Sequence, residues 1–482
     1  MTLKTREDYR AALAALRPNI FKFDRPVADV TADPLTRRSV ESHCRAYDGA
    51  HDPALRDLFT CRSPLSGDVV HRWNSLSFSP EALVANARLK RELYRQTGTC
   101  TGAACVGWNG INTLWAVTHE VDQSLGTGYQ GRLRDWALQA ESRGWMVAGA
   151  LTDAKGDRSR PPSQQPAHYL RVVGETAEGI VVRGYKVMIA GVAACHEILV
   201  LPGAALREAD HDHAVAFALP RDADGLTVVE ARRPSDGREL EDHPDVPATG
   251  ITQAFLIFND VVVPRERVFL CREHRFTANL IRYFTANYRA CIGACVAGQG
   301  DVMAGAAVLM ARANGLSSRV FRDKLVEMAV NNETTYALGI GAITLGERHP
   351  SGVWLADSLT AHVNKVQVSR LPYETKRLCQ EIGGGIAETG CLPSAADLAS
   401  PVYGHALREA LTAAVPGEVR ARAARLVEWL TIGAGVPGCM HGGGSPDGAR
   451  LIVRALTPFD GYANLASALA GIDSPVPEPE EG

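Results

Sequence analysis

The chain has 482 residues, of which 46% are hydrophobic and 22% charged, and a formal net charge of −3. A chain of this size folds as several packed layers or domains rather than around one small core. The near-neutral charge offers no basic surface for nucleic acid, and we expect no membrane span because no run of about 18 apolar residues occurs.

The amino terminus, MTLKTREDYRAALAAL, is typical of a charged amphipathic helix and lacks the apolar core of a secretory signal. The 11 cysteines are odd in number and scattered, which argues against a disulfide framework. We therefore expect a cytoplasmic protein whose cysteines are buried thiols or ligands.

Three regions follow from periodicity, and together they predict an α+β fold. Helical spacing in EALVANARLKRELYRQ and INTLWAVTHEVDQSL predicts an N-terminal helical domain over residues 1–146. Short β-rich runs separated by turn residues predict a central antiparallel β-barrel or sandwich over 147–272. Long helical segments predict a C-terminal bundle over 273–472, and the Pro- and Glu-rich tail 473–482 is expected to be disordered.

The segment LTDAKGDRS, Leu151 to Ser159, enters the β region as a polar loop. Its backbone donors and polar side chains suit the heteroatoms and pyrophosphate of a cofactor, and Lys155 and Arg158 would offset the cofactor's charge. A solvated turn explains the same residues equally well. Farther along, Asp210-His211-Asp212-His213 has alternating metal-ligand types, but its position before a strand favours a surface turn.

Two distant segments carry cysteines at close spacing. Cys100 and Cys105 lie in TGTCTGAAC, and Cys291 and Cys295 lie one helical turn apart in YRACIGACVAG. Thiolates are the usual ligands of iron–sulfur clusters, so this distribution suggests a metal or iron–sulfur site built from both segments. Small buried core residues are the alternative.

A resemblance extends over nearly the whole chain, from about residue 5 to 470. The strings TDAKGDRS, GIVVRGYKVMIAG, CHEILVLP, FNDVVVPRERVF, RDKLVEM, PYETKRL, EIGGG and MHGGGSP occur in the order found in the 4-hydroxyphenylacetate 3-hydroxylase family, and are most similar to its dehydratase branch. The resemblance implies an acyl-CoA dehydrogenase-like fold, a homotetramer, and FAD bound between the β domain and the bundle.

The resemblance also implies the FAD contacts, which fall in three places. These are the loop residues Leu151, Thr152, Asp153, Ala154, Lys155, Gly156, Asp157 and Arg158; the strand residues Met188, Ile189 and Ala190; and, in the bundle, Arg322 with Gly383, Gly384 and Gly385. Met188, Ile189 and Ala190 replace more polar residues of the family.

In the dehydratase branch a [4Fe-4S] cluster lies near the flavin, and Cys100, Cys105 and Cys295 match its three cysteine ligands. Tyr288 stands where that branch has a histidine that is both the fourth ligand and the presumed base. A phenol with a pKa of about 10 ligates iron and transfers protons less readily near neutral pH. Our hypothesis is therefore that Cys291, or a non-protein group, is the fourth ligand.

Other departures bear on the reaction. Ile292, Val296 and Gly438 stand where the dehydratase branch has a tyrosine, a lysine and a glutamate, and the first cysteine pair is one residue wider. These changes argue against the substrate of the dehydratase itself.

Three functions remain open on the sequence. The first is an FAD-dependent dehydration, isomerisation or related redox reaction on a small-molecule carbonyl, such as a CoA or carrier-protein thioester, with Tyr288 as the candidate acid or base. The second is an aromatic monooxygenase supplied with reduced flavin by a separate reductase. The third is a flavin-binding homologue without catalysis.

Overall fold

The computed structural model describes residues 2–233, 236, 248–251, 253–432 and 441–472. Gly438 and the tail 473–482 lie outside the described residues.

The N-terminal region is mainly helical. Its helices are α1 (Arg6–Ala14), α2 (Arg37–His51), α3 (Arg56–Phe59), α4 (Pro80–Thr97), α5 (Val106–Leu125) and α6 (Tyr129–Arg143). Four short strands accompany them: β1 (Ile20–Lys22), β2 (Arg25–Val27), β3 (Thr60–Arg62) and β4 (Val69–His71). The sequence prediction missed these strands because three residues are too few to display an alternating pattern.

The boundaries of α4 matter for the site that follows it. Ser79 caps its first turn by accepting a hydrogen bond from the backbone N–H of Ala82 at 3.2 Å, and Pro80 occupies a first-turn position where no N–H is needed. Gly98 ends the helix with a φ of +66°, a left-handed conformation that suits glycine.

The described part of the central region contains eight strands: β5 (Val147–Ala150), β6 (Arg171–Glu175), β7 (Gly179–Ala190), β8 (Glu197–Val200), β9 (Val215–Pro220), β10 (Leu226–Glu230), β11 (Gln253–Pro264) and β12 (Val268–Cys271). They form a six-stranded sheet in the order β2-β1-β10-β11-β7-β6 and a four-stranded sheet in the order β12-β9-β8-β5. Most neighbours are antiparallel, but β1 pairs with β10, and β5 with β8, in parallel.

The C-terminal region is a helical bundle. Its helices are α7 (Thr277–Ala313), α8 (Arg319–Thr344), α9 (Ser358–Val368), α10 (Leu371–Gly383), α11 (Gly385–Glu388), α12 (Ala395–Ala399), α13 (Gly404–Leu411), α14 (Gly417–Thr431), α15 (Pro446–Leu456) and α16 (Phe459–Ala470). A short hairpin, β13 (Glu347–Arg348) with β14 (Trp354–Leu355), follows α8.

Helix α7 is the central element of the bundle. Among the described residues, the stretch His274–Ala313 is long and apolar enough to cross a membrane by length and composition alone, with a mean hydropathy of 1.4. Inside the protein, 67% of that apolar window is buried. A core helix has the same properties, because its apolar surface is covered by neighbouring helices.

Candidate functional site

Helices α4 and α7 approach each other closely beside the cysteines. A Cβ atom on Gly298 would clash with the backbone oxygen of Arg91, so the absence of a side chain allows the approach. Gln299 Nε2 then donates a hydrogen bond at 3.0 Å to the carbonyl of Gly98, where α4 ends. Residues 99–105, which we call the cysteine loop, therefore lie against the middle of α7.

The structure brings together the four cysteines that the sequence singled out. Cys105, Cys291 and Cys295 are buried, and Cys100 is partly exposed. The Cys295 thiol donates a hydrogen bond to the sulfur of Cys105, which lowers the pKa of Cys105 and raises the pKa of Cys295. Burial raises the pKa of Cys100 to about 12 and also raises the pKa of Cys291. Cys105 is therefore the thiol of the group that ionises most readily.

Two further side chains of α4 complete this cluster, and the sequence prediction missed both. Lys90 lies next to the sulfur of Cys105, and Tyr94 donates a hydrogen bond to Cys100. A signal was available, because Leu83, Ala87, Lys90 and Tyr94 follow helical spacing and all four are buried. A lysine on the buried stripe of an amphipathic helix is unusual enough to mark a site.

Within the ranges that the structure describes, no group of three or more His, Cys, Asp or Glu side chains is arranged to hold a single metal ion. The four sulfurs are thus not a preformed mononuclear site. A multi-iron cluster differs, because each cysteine binds its own iron and the sulfurs stand around a larger body. The donors themselves suit such a group, since four thiols converge around one buried ammonium.

Tyr288 lies on α7 one helical turn before Cys291, with apolar side chains beside it. Its ring stacks on Phe284 with centroids 5.6 Å apart and packs against the buried group formed by Ile292, Val296 and Val368. Gly443 covers the ring so closely that a Cβ atom there would come within 2.6 Å of it. The segment 441–444 therefore closes over Tyr288.

Two cations hold that glycine-rich segment in place. Arg289 donates two hydrogen bonds to the carbonyl of Gly443 at 3.0 and 3.1 Å, and Lys365 Nζ donates to the carbonyl of Gly442 at 2.6 Å. Burial lowers the pKa of Arg289 to about 10. His441, at the start of the segment, is exposed.

The predicted flavin loop, Leu151–Arg158, follows β5 and is anchored from beneath by a lysine of β7. Lys186 Nζ donates to the backbone oxygens of Leu151 and Leu201, both at 2.9 Å, and forms an ion pair with Asp153 at 2.7 Å. Lys186 is only 2% exposed, and burial lowers its pKa. The Asp153 carboxylate is thus paired with a buried cation at the base of the loop.

The outer part of the loop is exposed and held in shape by one amide side chain. Gln165 accepts a hydrogen bond from the N–H of Asp157 at 2.9 Å and donates to the Asp157 carbonyl at 2.7 Å. Lys155 and Gly156 adopt left-handed φ angles of +67° and +50°. The exposed residues are Ala154, Lys155, Gly156, Asp157 and Arg158. The loop therefore presents its polar groups outward on a fixed backbone.

The second predicted flavin segment lies beside the first and also touches the cysteine loop. The N–H of Val187 donates to the carbonyl of Thr152 at 2.9 Å. Met188 is 59% exposed, whereas Ile189 is buried. A Cβ atom on Gly102 would lie 2.7 Å from the Cβ of Ala190. The cysteine loop and the end of β7 are therefore in direct contact.

The third predicted group lies on the bundle. Arg322 is exposed near the start of α8, and Gly384, with a φ of +75°, separates α10 from α11. Lys324 of α8 and Glu381 of α10 form an ion pair at 2.6 Å, which joins these two helices. Arg322 and the turn Gly383–Gly385 thus flank the same helix pair.

The four residues of the string Asp210-His211-Asp212-His213 differ in burial. Asp210 and His213 are buried and bind backbone groups, Asp210 accepting from the N–H of Ser163 at 2.8 Å and His213 contacting the carbonyl of Leu170 at 3.0 Å. Asp212 pairs with Arg272 at 2.8 Å. The sequence favoured a surface turn, and the buried Asp210 and His213 depart from that prediction.

The fold defines the class of protein to which the chain belongs. A glutaryl-coenzyme A dehydrogenase structure superposes with a TM-score of 0.50 at 13% identity, covering 83% of this chain and 82% of that one. The predicted acyl-CoA dehydrogenase-like α+β fold is therefore confirmed.

The family follows from sequence. Residues 5–270 match the family described as 4-hydroxyphenylacetate 3-hydroxylase N terminal, and residues 277–471 match the one described as 4-hydroxyphenylacetate 3-hydroxylase C terminal. The chain belongs to this family. It is a flavin-dependent enzyme of the oxidoreductase and lyase type, as predicted.

The similar proteins include both a dehydratase and a monooxygenase. The chain is 35% identical, over 98% of its length and 100% of the relative, to the 4-hydroxybutyryl-CoA dehydratase/vinylacetyl-CoA-Delta-isomerase of Clostridium aminobutyricum. It is 26% identical to the oxygenase component of 4-hydroxyphenylacetate 3-monooxygenase of Thermus thermophilus, over 83% of this chain and 82% of that one. The resemblance to the dehydratase branch is thus confirmed as the stronger one.

Solved structures agree with these matches. An oxygen-tolerant archaeal 4-hydroxybutyryl-CoA dehydratase from N. maritimus superposes with a TM-score of 0.95 at 34% identity, covering 100% of this chain and 97% of that one. A 4-hydroxyphenylacetate 3-monooxygenase oxygenase component complexed with FAD superposes with a TM-score of 0.80 at 24% identity, over 97% and 98% of the two chains.

Proposed function

We propose that the protein binds FAD and a [4Fe-4S] cluster and catalyses a dehydration or isomerisation of an acyl thioester. One observation carries the proposal: the cysteine loop, through Gly102, lies directly against Ala190 at the end of the second flavin segment. Convergence of four thiols at that contact favours a cluster beside the flavin. The relative with 35% identity is a dehydratase and isomerase, which supports the same reaction class.

In this proposal the outward backbone and polar groups of Leu151–Arg158 bind FAD, with Lys155 and Arg158 offsetting the charge of its pyrophosphate. Arg322 and Gly383–Gly385 contact FAD from the bundle. Because Met188 is exposed, its side chain is available to the cofactor, whereas buried Ile189 and Lys186 support the strand.

Cys100, Cys105 and Cys295 bind the cluster as thiolates, and Cys291 is the fourth ligand. Bound FAD and cluster would supply one-electron chemistry and a Lewis acid beside the substrate carbonyl. Tyr288 is the proposed acid or base, because it lies on α7 one helical turn before Cys291 and Gly443 packs against its ring. Turnover unaffected by Tyr288→Phe would refute this role.

Cysteine variants test the cluster directly. We expect Cys105→Ala and Cys295→Ala to lose most of their iron and sulfide relative to the wild type, because each removes a ligand. Cys379→Ala is the matched control, since Cys379 is equally buried in a different apolar cluster. Iron and sulfide analysis of anaerobically purified protein, with visible and EPR spectra, gives the result. Absence of both elements from the wild type would refute the cluster.

A second candidate function is an aromatic monooxygenase that receives reduced flavin from a separate reductase. The 26% identity to a 4-hydroxyphenylacetate 3-monooxygenase oxygenase component, over 83% of this chain, supports it. Oxygen consumption with chemically reduced FAD and a phenol separates the two candidates. A dehydratase would instead turn over anaerobically without a reductant.

We also propose that the enzyme is a homotetramer that acts in the cytoplasm. Exposed apolar side chains support assembly, and they concentrate on α8, α15 and α16.

A further inference from the structure

Lys90 is a buried cation in an apolar position. Its side chain is 2% exposed, and its ammonium lies 4.7 Å from the centre of the Trp108 ring. The ring is fixed, because Trp108 Nε1 donates to the carbonyl of Ser75 at 2.9 Å. Among the described residues, Lys90 Nζ finds no hydrogen-bond partner of standard geometry. An unpaired ammonium in such a place is costly unless negative charge stands beside it.

The cysteines are the groups that face this ammonium. Lys90 interacts electrostatically with Cys100, Cys105, Cys291 and Cys295 alike.

Arg91, the neighbouring cation on α4, has different partners. Arg91 pairs with Asp301 at 3.0 Å and with Glu333, and stacks over the Tyr336 ring. Its charge is therefore matched by carboxylates, whereas the partners of Lys90 are thiols.

We propose that Lys90 is a positioning residue of the cysteine site: its ammonium compensates the negative charge that four thiolates and their bound cluster place in the protein interior. This inference rests on the proposed cluster, and it adds to it a residue outside the ligand set. The cation–π contact with Trp108 keeps the ammonium within reach of all four sulfurs.

The physical consequence is a shift in reduction potential. Net charge and burial around an iron–sulfur cluster set its potential, because reduction adds a negative charge that the surroundings must stabilise. Removing a neighbouring positive charge makes that step less favourable. The cluster of a variant without this charge is therefore harder to reduce.

The test compares Lys90→Met with Lys90→Arg in the full chain, purified anaerobically. Methionine keeps the length and removes the charge, whereas arginine keeps the charge. We expect the midpoint potential in an EPR-monitored titration to become more negative in Lys90→Met, or its iron and sulfide per chain to fall by at least half. Lys90→Arg should keep both near the wild-type values. Circular dichroism verifies that both variants are folded.

Each other outcome overturns the inference. A Lys90→Met variant with full iron and an unchanged potential would show that the charge is not used. An equal loss of iron and sulfide, or an equal shift in potential, in Lys90→Met and Lys90→Arg would show that the shape of the lysine side chain matters and its charge does not. Wild-type protein without iron and sulfide would refute the proposed cluster itself, and this inference with it.

Discussion

At the scale of single residues, two buried lysines support the two halves of the candidate site. Lys90 faces thiols, and Lys186 binds the backbone oxygens of Leu151 and Leu201 and the carboxylate of Asp153. Both lie at interior positions. The bonds of Lys186 fix the geometry around it, because any other arrangement leaves its buried charge unpaired.

We predict that Lys186→Met weakens FAD binding. Loss of charge-assisted hydrogen bonds worth ~1.5–3 kcal/mol would release the flavin loop and raise the Kd about tenfold or more. Flavin fluorescence titration measures the Kd. Arg183→Met is the matched control, because Arg183 lies on the same strand but is exposed and pairs with Asp260 away from the loop.

Lys186→Met also leaves the Asp153 carboxylate buried without a partner, which by itself is destabilising. The double variant, Asp153→Asn with Lys186→Met, removes that carboxylate charge. Any loss of FAD affinity that remains in the double variant then reports the position of the loop. If the double variant is folded and binds FAD as tightly as Arg183→Met does, Lys186 has no part in positioning the loop.

The cysteines were predicted from the sequence because they form close pairs in two segments, whereas Lys90 was overlooked although it falls on the apolar stripe of α4. A lysine in an amphipathic helix is ordinarily assigned to the solvated face. The packing of α7 against α4 shows that Lys90 points inward instead. Asp153 shows the opposite limitation, since the motif predicted a cofactor contact and the structure adds a buried ion pair.

At the scale of elements, glycines set how closely the segments of the site approach. Gly298 allows α7 to pack against α4, and Gly102 allows the cysteine loop to touch Ala190. Pairing of helices distant in sequence depends on such contacts, which periodicity alone does not reveal.

The strands show the same contrast between what the sequence predicts and what only contacts distant in sequence reveal. The longer central strands, such as β7 and β11, were predicted from alternation and composition, because one face is buried. The parallel pairing of β1 with β10 was not predictable, since Ile20–Lys22 is too short to be recognised and its partner lies about 200 residues away.

We predict that Gly298→Val separates α4 from α7 and disrupts the cysteine site. Overpacking of this kind costs about 1–3 kcal/mol, so the unfolding midpoint should fall and iron retention with it. Gly305→Ala on the same helix is the control, because a Cβ atom there has nothing within 4 Å. The control should be as stable as the wild type or up to about 1 kcal/mol more stable, owing to the better helix propensity of alanine. Equal stability and iron content in both variants would contradict the role of Gly298.

At the scale of the whole molecule, the described apolar surface is distributed unevenly. Val326 and Val330 are exposed one turn apart on α8, and Leu451, Leu465 and Leu469 are exposed on α15 and α16. Side chains at i and i+4 on a helix share a face, so these residues form apolar stripes rather than isolated contacts. Arg322, a proposed FAD contact, lies on the same helix as the first stripe, so assembly and the flavin site are expected to be adjacent.

We predict that Leu465→Glu combined with Leu469→Glu dissociates the assembly, because charges on an apolar interface must be desolvated. Light scattering after size-exclusion chromatography should give a mass of about four times 51.8 kDa for the wild type and a smaller mass for the variant. Leu125→Glu is the control, since Leu125 is 57% exposed at the end of α5, away from these stripes, and should keep the wild-type mass. A wild-type mass equal to one chain would refute the tetramer. A double variant of unchanged mass would place the interface elsewhere, which would leave the exposed leucines of α16 without a role in assembly.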